Sequence, residues 1–258
     1  MRALAAYAAL IAAAIRTSLS DRTNFVLQVL GMVINNGFFL LLWFMFFAGF
    51  KSVGGWELAD VALLLGIGIT MVGISGVFFG GYRDMAAVIL AGEPDALLTQ
   101  PWALLPRLLA RESIASAWGD LATGALILIA FADVTVARLP LIVLGLAAAT
   151  VIYVSAAVSF ASMAFWIAGA RSFARDLTDF TLLFSSYPGS IYSGATKVIA
   201  YTVLPAGFIV LAPVRLLREP GWQTLAVVVA SALAYAAIAI AAFTTGLTRY
   251  RRGQAPIA

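Results

Sequence analysis

Few side chains in this sequence could carry covalent or metal chemistry. The chain contains no cysteine and no histidine. This excludes metal sites built from thiolates or imidazoles, cysteine nucleophiles, histidine-based triads and disulfides. Lysine occurs only at Lys51 and Lys197, and neither belongs to a G-x-x-x-x-G-K-[ST] phosphate loop. The chain therefore cannot be a P-loop ATPase by itself.

One combination of residues could still form a nucleophile. Lys197 follows Ser190 and Ser193 closely in the sequence, and a lysine can activate a serine hydroxyl. A membrane-embedded enzyme is therefore one alternative. We disfavour it because the three residues lie in a flexible turn rich in tyrosine, and a serine-reactive probe would test it.

The composition places these residues in a membrane protein. Of 258 residues, 63% are apolar and 11% are charged, whereas a soluble domain uses about 25% charged residues. The net charge of +4 does not indicate nucleic-acid binding, because the basic residues cluster beside apolar segments. We therefore expect a single integral membrane domain over residues 1–258, with no nucleic-acid partner.

Polar side chains inside the apolar segments are the next candidates. Gln28, Asn35 and Asn36 lie within the first of these segments, and amides at membrane depth need partners. They either join helices or line a candidate substrate path. Asp120 lies toward one end of a later segment, and we expect it to pair with Arg107 or Arg111, because an isolated carboxylate in lipid costs roughly 2.5–3.5 kcal/mol.

A short segment, 91–101, interrupts the apolar pattern. It contains two acidic residues, two prolines and a glycine, yet it keeps the pair Leu97 and Leu98. A loop that only faces solvent does not need two leucines. We interpret the segment as a docking element on the cytoplasmic face; the alternative is a surface loop with incidental leucines.

The local chemistry of this segment predicts a short helix. Pro94 suits the first turn, and Glu93 and Asp95 lie where the positive end of the helix dipole favours acids. Pro101 and Pro106 should interrupt any longer helix. We expect a helix of about two turns.

The docking element lies between helices that are long enough to cross a bilayer, which needs about 20 apolar residues. The sequence predicts six such spans with short links. They are 25–47, 61–82, 113–131, 139–168, a fifth span that ends near 187–190, and a sixth within 222–247.

Two features flank this set of spans. Residues 1–20 carry larger apolar residues on one helical stripe, with arginines on either side, which predicts an amphipathic helix in the membrane interface. The alternative for this stretch is a signal peptide. In the second span, glycines recur on one face and predict close helix packing, either within the chain or between two subunits. They are Gly66, Gly73, Gly76 and Gly80.

The stretch from Phe180 to Leu217 is apolar but broken. It is too long for one helix and too interrupted for two regular ones, so we expect short re-entrant helices in the outer leaflet after the fifth span. Such a backbone is tolerated at membrane depth only where protein or water satisfies it. The interrupting residues are Tyr187, Pro188, Gly189, Tyr192, Pro205 and Pro213.

The basic residues predict the orientation. With six spans and both termini in the cytoplasm, eleven basic residues lie inside and five outside, as the positive-inside rule requires. Those inside are Arg2, Arg16, Arg22, Arg83, Arg107, Arg111, Arg171, Arg175, Arg249, Arg251 and Arg252; those outside are Lys51, Arg138, Lys197, Arg215 and Arg218.

Taken together, these features resemble a known family. They are the 92–101 pattern, the interfacial N-terminal helix, the 187–192 segment, the two later prolines and the basic tail. The chain is similar to permease subunits of ABC-2 type transporters, in the branch called ABC-2 family transporter protein. The resemblance covers essentially the whole chain and rests on the order of the features rather than on any single motif.

The resemblance implies a permease of six transmembrane helices that dimerises with an identical or related permease. It implies separate ATP-binding subunits, which would hold ATP and Mg²⁺, and no cofactor in this chain. It also implies a multi-pass protein of the bacterial inner membrane, in contact with lipid. In the family the helix between spans two and three sits in a groove of the ATPase, a role that maps onto Gly92, Glu93, Asp95, Leu97, Leu98 and Pro101, and the re-entrant segment lies near the exit.

Our hypothesis from the sequence is ATP-driven export. ATP can drive it only if nucleotide binding favours one helix arrangement over another. The alternatives are an ion-coupled carrier, which would need buried carboxylates in mid-span, and a membrane scaffold that transports nothing. Because the interior offers amides, hydroxyls and aromatic rings, we expect a small amphiphilic or hydrophobic substrate.

Overall fold

The structure, a computed structural model, describes residues 2–52, 54–99 and 102–253. In these ranges the regular elements are helices and there is no strand, so the all-α prediction is confirmed. The α-helices are α1 (Arg2–Ser18), α2 (Arg22–Gly49), α3 (Leu58–Phe79), α4 (Met85–Leu90), α5 (Pro94–Leu98), α6 (Leu104–Leu109), α7 (Ala115–Phe131), α8 (Leu139–Ser162), α9 (Ala170–Ser185), α10 (Gly194–Thr202), α11 (Ala212–Arg218) and α12 (Trp222–Arg251).

Not every predicted span meets the requirements of length and apolarity. Among the described residues, four helical segments do: α2, α3 with the short helical pieces that follow it, α8 with its last turn, and α12. A bent pair, Gly194–Thr202 and Gly207–Arg218, brings the number to five if it is one span. The sequence predicts six, and length and composition alone account for four or five.

The starts of α2 and α3 follow from capping side chains. The Asp21 carboxylate accepts a hydrogen bond from the backbone N–H of Asn24 at 3.0 Å, which satisfies one free donor of the first turn of α2. At α3, Glu57 and Asp60 form a reciprocal capping box, and the Glu57 N–H donates to Asp60 Oδ2 at 2.9 Å.

The glycine face of α3 packs inside the chain, against α7. A Cβ placed on Gly73 would lie 2.5 Å from the backbone nitrogen of Leu121, and one on Gly80 would lie 2.6 Å from the Glu112 carbonyl oxygen. At Gly76 the obstructing group is the side chain of Ala117. The predicted packing face is confirmed, and its partner is a helix of the same chain. Later residues of α3 contact earlier residues of α7, as the pairs Gly73 with Leu121 and Gly76 with Ala117 show, so the two helices are antiparallel.

A second packed region joins α8 to α12. Phe165, in the turn after α8, is fully buried and meets the rings of Phe243 and Tyr250 at centroid distances of 5.6 and 6.0 Å. Gly246 leaves the space that the Phe165 ring fills. The predicted fourth span, 139–168, continues three residues past the helical segment, which ends at Phe165 after α8 and a short 3-10 turn.

The helix expected to form the fifth span begins with a charged stretch that precedes its apolar part. α9 starts at Ala170 and includes the charged stretch of Arg171 and Asp179, so only its second half is strongly apolar. The chain after it continues to Tyr187, whose ring lies 6.2 Å from that of Trp43 at the end of α2. Apolarity alone locates the second half of this helix and misses the first.

Contacts between distant residues identify the two ends of the bundle. At one end, Tyr250 near the C-terminus of α12 lies beside Gly92, and α1 packs against α6; we call this the termini end. At the other end, which we call the opposite end, Ser190 lies beside Gly54 and Arg218 pairs with Asp60.

The broken segment lies at the opposite end. α10 and the following helical stretch meet at an angle of 72°, and Pro205 lies at the bend. The Tyr192 hydroxyl donates to the Phe184 carbonyl oxygen at 2.6 Å, and the two rings stack at 5.3 Å. Pro213 starts α11 and packs against Gly145 of α8. α11 is mostly buried while α10 is mostly exposed, so the segment folds back on the bundle.

Candidate functional site

Residues 91–101, the predicted docking element, are called the docking segment from here on. The segment begins with a turn that requires glycine. Gly92 has a φ of 73°, a conformation that side chains with a Cβ rarely adopt. Its N–H donates to the Ile89 carbonyl at 3.2 Å, and the Glu93 N–H donates to the Val88 carbonyl at 3.3 Å. This pair of bonds is a Schellman motif, which ends α4 and turns the chain sharply into α5.

The helix that follows is shorter than predicted. α5 begins at Pro94, as the sequence predicts, but it ends at Leu98 after 5 residues, which is little more than one turn. Pro94 is buried, and Asp95 lies in the first turn. Pro101 lies outside the described residues.

The two leucines of the segment do not project freely from the surface. Leu97 and Leu98 are partly buried and pack against a core cluster that contains Met85, Leu108 and Phe165. The exposed surface of the segment is instead small and acidic. Among the described residues of the segment it consists of Ala91, Glu93, Asp95, Ala96 and Thr99.

Two arginines hold the segment against the bundle. Arg107 donates from Nη1 to the Leu97 carbonyl oxygen at 2.8 Å, and Arg111 pairs with Glu93 at 3.1 Å. Because both side chains of the ion pair are about half exposed (40% and 50%), it contributes less than about 1 kcal/mol. The Arg107 bond is partly buried and fixes the C-terminal end of α5.

Pro106 does not interrupt a helix, contrary to the prediction. It is the third residue of α6, and the first backbone N–H groups of a helix have no partner within it, so proline is tolerated there.

α6 connects the docking segment to the end of α3. The Leu108 carbonyl presses on Gly81, in the short turn that ends α3, where no side chain would fit. The Arg111 side chain lies 2.8 Å from the place where a Gly81 Cβ would stand. α6 therefore contacts both the docking segment and the end of α3.

Glu112 lies in the same region, just before α7. Burial raises the pKa of its carboxyl, and the nearby Asp84 carboxylate raises it further. The carboxylate of Glu112 is therefore less stable here than in water.

A cavity of about 310 Å³ lies between α2, α3, α7 and α9. Asn35, Asn36, Ser116 and Asp120 give it polar walls, and Arg83 lies at its border. Three further lining residues, Tyr82, Ser185 and Ser186, carry hydroxyl groups. The apolar lining includes Met32, Phe39, Leu64, Leu65, Ile69, Val72, Ile114 and Leu182.

The structure brings two of the three predicted path residues into this cavity. Asn36 is buried and Asn35 is exposed, and both line the cavity. Gln28 does not line it; its side-chain nitrogen donates to Asn24 at 3.1 Å on the exposed side of α2.

The predicted partner of Asp120 is wrong. Asp120 accepts a hydrogen bond of 2.8 Å from the Asn36 side chain, whereas Arg107 and Arg111 are engaged by the docking segment. Both arginines precede α7, and Asp120 lies inside it and faces α2. The polar amide on a neighbouring helix was the signal in the sequence that could have identified this partner.

The side chains of the alternative nucleophile form no hydrogen bond with one another among the described residues. Ser190, Ser193 and Lys197 are exposed, and no hydrogen bond joins the Lys197 ammonium to either described hydroxyl.

A family model described as ABC-2 family transporter protein matches residues 33–253, a range that includes the docking segment, the cavity and the broken segment. Neither the curated proteins nor the solved structures contain a match to this chain.

Proposed function

The chain belongs to the ABC-2 family of transporter proteins, and we propose that it is the membrane-spanning permease subunit of an ATP-driven exporter. Permeases of this family lack an ATPase domain and generally act with ATPase subunits. The absence of a phosphate loop in the sequence is consistent with this division of labour. ATP and Mg²⁺ would then bind to the partner.

The observation that carries the proposal is the attachment of the docking segment to α3. A groove of the ATPase would receive the segment around Gly92, Glu93, Asp95, Leu97, Leu98 and Pro101. Arg107 ties α5 to α6, and α6 presses on the end of α3 through Gly81. Because α3 lines the cavity, closure of the ATPase dimer would change the shape of the cavity.

This docking is tested by replacing Leu97 and Leu98 together with Asp and measuring both ATPase co-purification and transport. We expect both to be lost. A matched control is Val134→Asp with Val136→Asp, which places the same charges on two exposed apolar residues far from the segment.

Because the leucines also pack against the core, loss of folding must be separated from loss of docking. Ala96→Arg changes only an exposed position of the same helix. It should weaken co-purification while the chain keeps its thermal unfolding temperature. Unchanged co-purification in both variants would refute the docking proposal.

We further propose that the chain crosses the membrane six times as one permease domain, 1–258, with both termini in the cytoplasm and α1 in the interface. α7 has 17 apolar-rich residues. The residues after α9 reach the same end of the bundle as the link between α2 and α3, since Ser190 lies beside Gly54. The bent pair α10 and α11 would then be re-entrant near the exit, together with Tyr187, Pro188, Gly189, Tyr192, Pro205 and Pro213.

This topology can be tested without background labelling, because the chain has no cysteine. A cysteine in place of the exposed Lys197 should react with an impermeant maleimide added outside the cell, as should one at Val136. A cysteine at Thr99 should react only in inverted vesicles. Protection of Lys197→Cys from the outside would refute the fifth crossing.

We also propose a second permease subunit, identical or related, beside α2. Only 6% of the apolar stretch of α2 is buried within the chain, and Asn35 lies exposed on it. An amide at membrane depth needs polar partners, which a second permease could supply.

Asp120 is the one observation that favours an ion-coupled carrier instead, because buried carboxylates often relay protons in such proteins. An uncoupler would abolish transport by such a carrier. Substitution of the phosphate-loop lysine in the co-purified ATPase would abolish it if the exporter proposal is right.

A further inference from the structure

The cavity beside α2 has a chemically divided wall. Asp120 and Asn36 form its polar part, where 6% and 7% of their respective surfaces are exposed. Phe39, Leu65 and Ile69 line its apolar part; Phe39 lies one turn after Asn36 on α2, and Leu65 and Ile69 lie before Gly73 on α3. Ser185 and Ser186 also line the cavity, but their hydroxyls already donate to backbone carbonyls of α9. A molecule that fills both parts must carry a polar group at one end and an apolar body at the other.

The Asp120 carboxylate has unused capacity for a ligand. One oxygen accepts from the Asn36 amide at 2.8 Å, and among the described residues no other hydrogen bond or ion pair involves this carboxylate. The second oxygen is not among the fully buried polar atoms without a partner. Because Asp120 lines the cavity, that oxygen is open to it.

One basic side chain lines the same cavity as the Asp120 carboxylate. Arg83 lines the same space but is exposed, and it makes no ion pair with Asp120. Arg83 lies beyond the end of α3, after the turn Gly80–Tyr82, and its charge acts on Asp120 without forming an ion pair with it. The carboxylate therefore has a cation on the same lining but no cation in contact with it.

We propose that this cavity binds an amphiphile with a positively charged head, an amine or a quaternary group, which lies against Asp120 while its apolar body lies against Phe39, Leu65 and Ile69. The proposal rests on the proposed function, because it names the class of molecule that the exporter would carry. A cation supplies the opposite charge that a carboxylate in a low-dielectric site requires.

Two ions of nearly the same shape and opposite charge test the sign of the site. Tetraphenylphosphonium is a lipophilic cation, and tetraphenylborate is the matching anion. We expect the purified chain, in neutral detergent and measured by equilibrium dialysis, to bind the cation at least about tenfold more tightly, which is a difference of about 1.4 kcal/mol. Equal binding, or tighter binding of the anion, would overturn the proposal.

Asp120→Asn should remove this preference. The substitution keeps an oxygen that can accept from Asn36 but removes the charge, so affinity for the cation should fall about tenfold and affinity for the anion should not fall. Asp133→Asn is the matched control, because Asp133 is an exposed residue paired with Arg138 outside the cavity. Unchanged cation binding by Asp120→Asn would also overturn the proposal.

A second variant covers the case in which Asp120→Asn does not fold. Ser116 lies one helical turn before Asp120 and lines the cavity, so Ser116→Arg places a guanidinium where it can pair with the carboxylate. It should abolish the preference for the cation. A preference that survives Ser116→Arg counts against the site.

The proposal and the exporter function can fail separately. Binding of the cation without ATP-dependent transport, in vesicles that contain the co-purified ATPase, would leave the cation site standing and refute the exporter. ATP-dependent transport of another molecule by a chain that does not prefer the cation would do the reverse.

Discussion

α2 and α3 are both long, apolar helices, yet their surroundings are opposite. In the most apolar stretch of α3 and the short pieces after it, 72% of the residues are buried within the chain, whereas the corresponding value for α2 is 6%. Apolarity makes both helices suited to a bilayer. It does not determine whether a helix packs against protein or faces lipid.

The glycines distinguish the two helices. Gly66, Gly73 and Gly76 of α3 lie against side chains or backbone of α7, whereas a Cβ at Gly31 or Gly37 of α2 would have no neighbouring atom within 4 Å. Lipid tails are as apolar as leucine, so close packing, rather than burial from water, holds membrane helices together. The contrast shows that small residues are a sign of packing only where their spacing matches a partner.

The largest expected effect separates the two glycine sets. Gly73→Leu should destabilise the chain by more than about 3 kcal/mol, because even the first atom of the new side chain meets the backbone of Leu121. The measurement is the free energy of unfolding in mixed micelles. Gly37→Leu is the control, and it should leave this free energy unchanged or raise it slightly, because leucine favours a helix more than glycine does. Equal losses in both variants would mean that the contrast between the helices is not real.

The neighbouring amides of α2 provide a second, smaller test. Asn36→Leu removes the only donor to Asp120 among the described residues and should cost about 2 kcal/mol of unfolding free energy, because a buried acceptor loses its partner. Asn35→Leu changes an exposed side chain next to it and should cost little in the isolated chain. If Asn35→Leu lost more unfolding free energy than Asn36→Leu, the face of α2 that carries Asn35 would be the one in contact with protein.

The exposed face of α2 can be tested for a second subunit. Ile34 is 57% exposed on α2 and Leu233 is 67% exposed on α12. In membranes, Ile34→Cys should form disulfide-linked pairs of chains, and Leu233→Cys should form few, because the proposed interface involves α2. Efficient crosslinking at Leu233 alone would assign the interface to α12 and leave α2 facing lipid.

The smallest predicted effect is that of replacing Glu112, which precedes α7 and lies against Gly80 at the end of the α3–α7 contact. Because the pKa of Glu112 is raised on folding, the folded chain binds the proton of this carboxyl more tightly than the unfolded chain does. The stability that this proton contributes is present below the ordinary pKa and is lost as pH rises through the folded value. Glu112→Gln should therefore raise the unfolding temperature near neutral pH by about 1 °C and change nothing near pH 4. A thermal shift that is the same at both pH values would exclude ionisation as the cause.

Much of the fold follows from local sequence. The apolar lengths predict α2, α3, α7, α8 and α12 to within a few residues at most ends. Glycine spacing predicts the packed face of α3, and the prolines predict the bend between α10 and α11. These features depend on neighbours in the sequence, which is why they can be predicted without knowledge of the tertiary structure.

The features that could not be predicted depend on contacts between distant residues. The first half of α9 carries charged residues on its exposed side, such as Arg171 and Asp176, so apolarity does not reveal where the helix begins. Asp120 takes its partner from α2, 84 positions earlier, although arginines lie much closer in the sequence. The partial burial of Leu97 and Leu98 likewise depends on a cluster that reaches them from α6 and the turn after α8.

α3 is fastened at both of its ends. With 22 residues it is a rod about 33 Å long. At one tip Asp60 pairs with Arg218 at 2.9 Å, and the Arg218 guanidinium lies 5.8 Å from the centre of the Trp56 ring. At the other tip Gly81 bears on α6. If α3 moved as a rigid rod about its tightly packed glycines, a tilt at the Gly81 end would shift the Asp60 end in the opposite direction or break the ion pair with Arg218. Spin labels at Ala59 and Leu225 would distinguish the two outcomes.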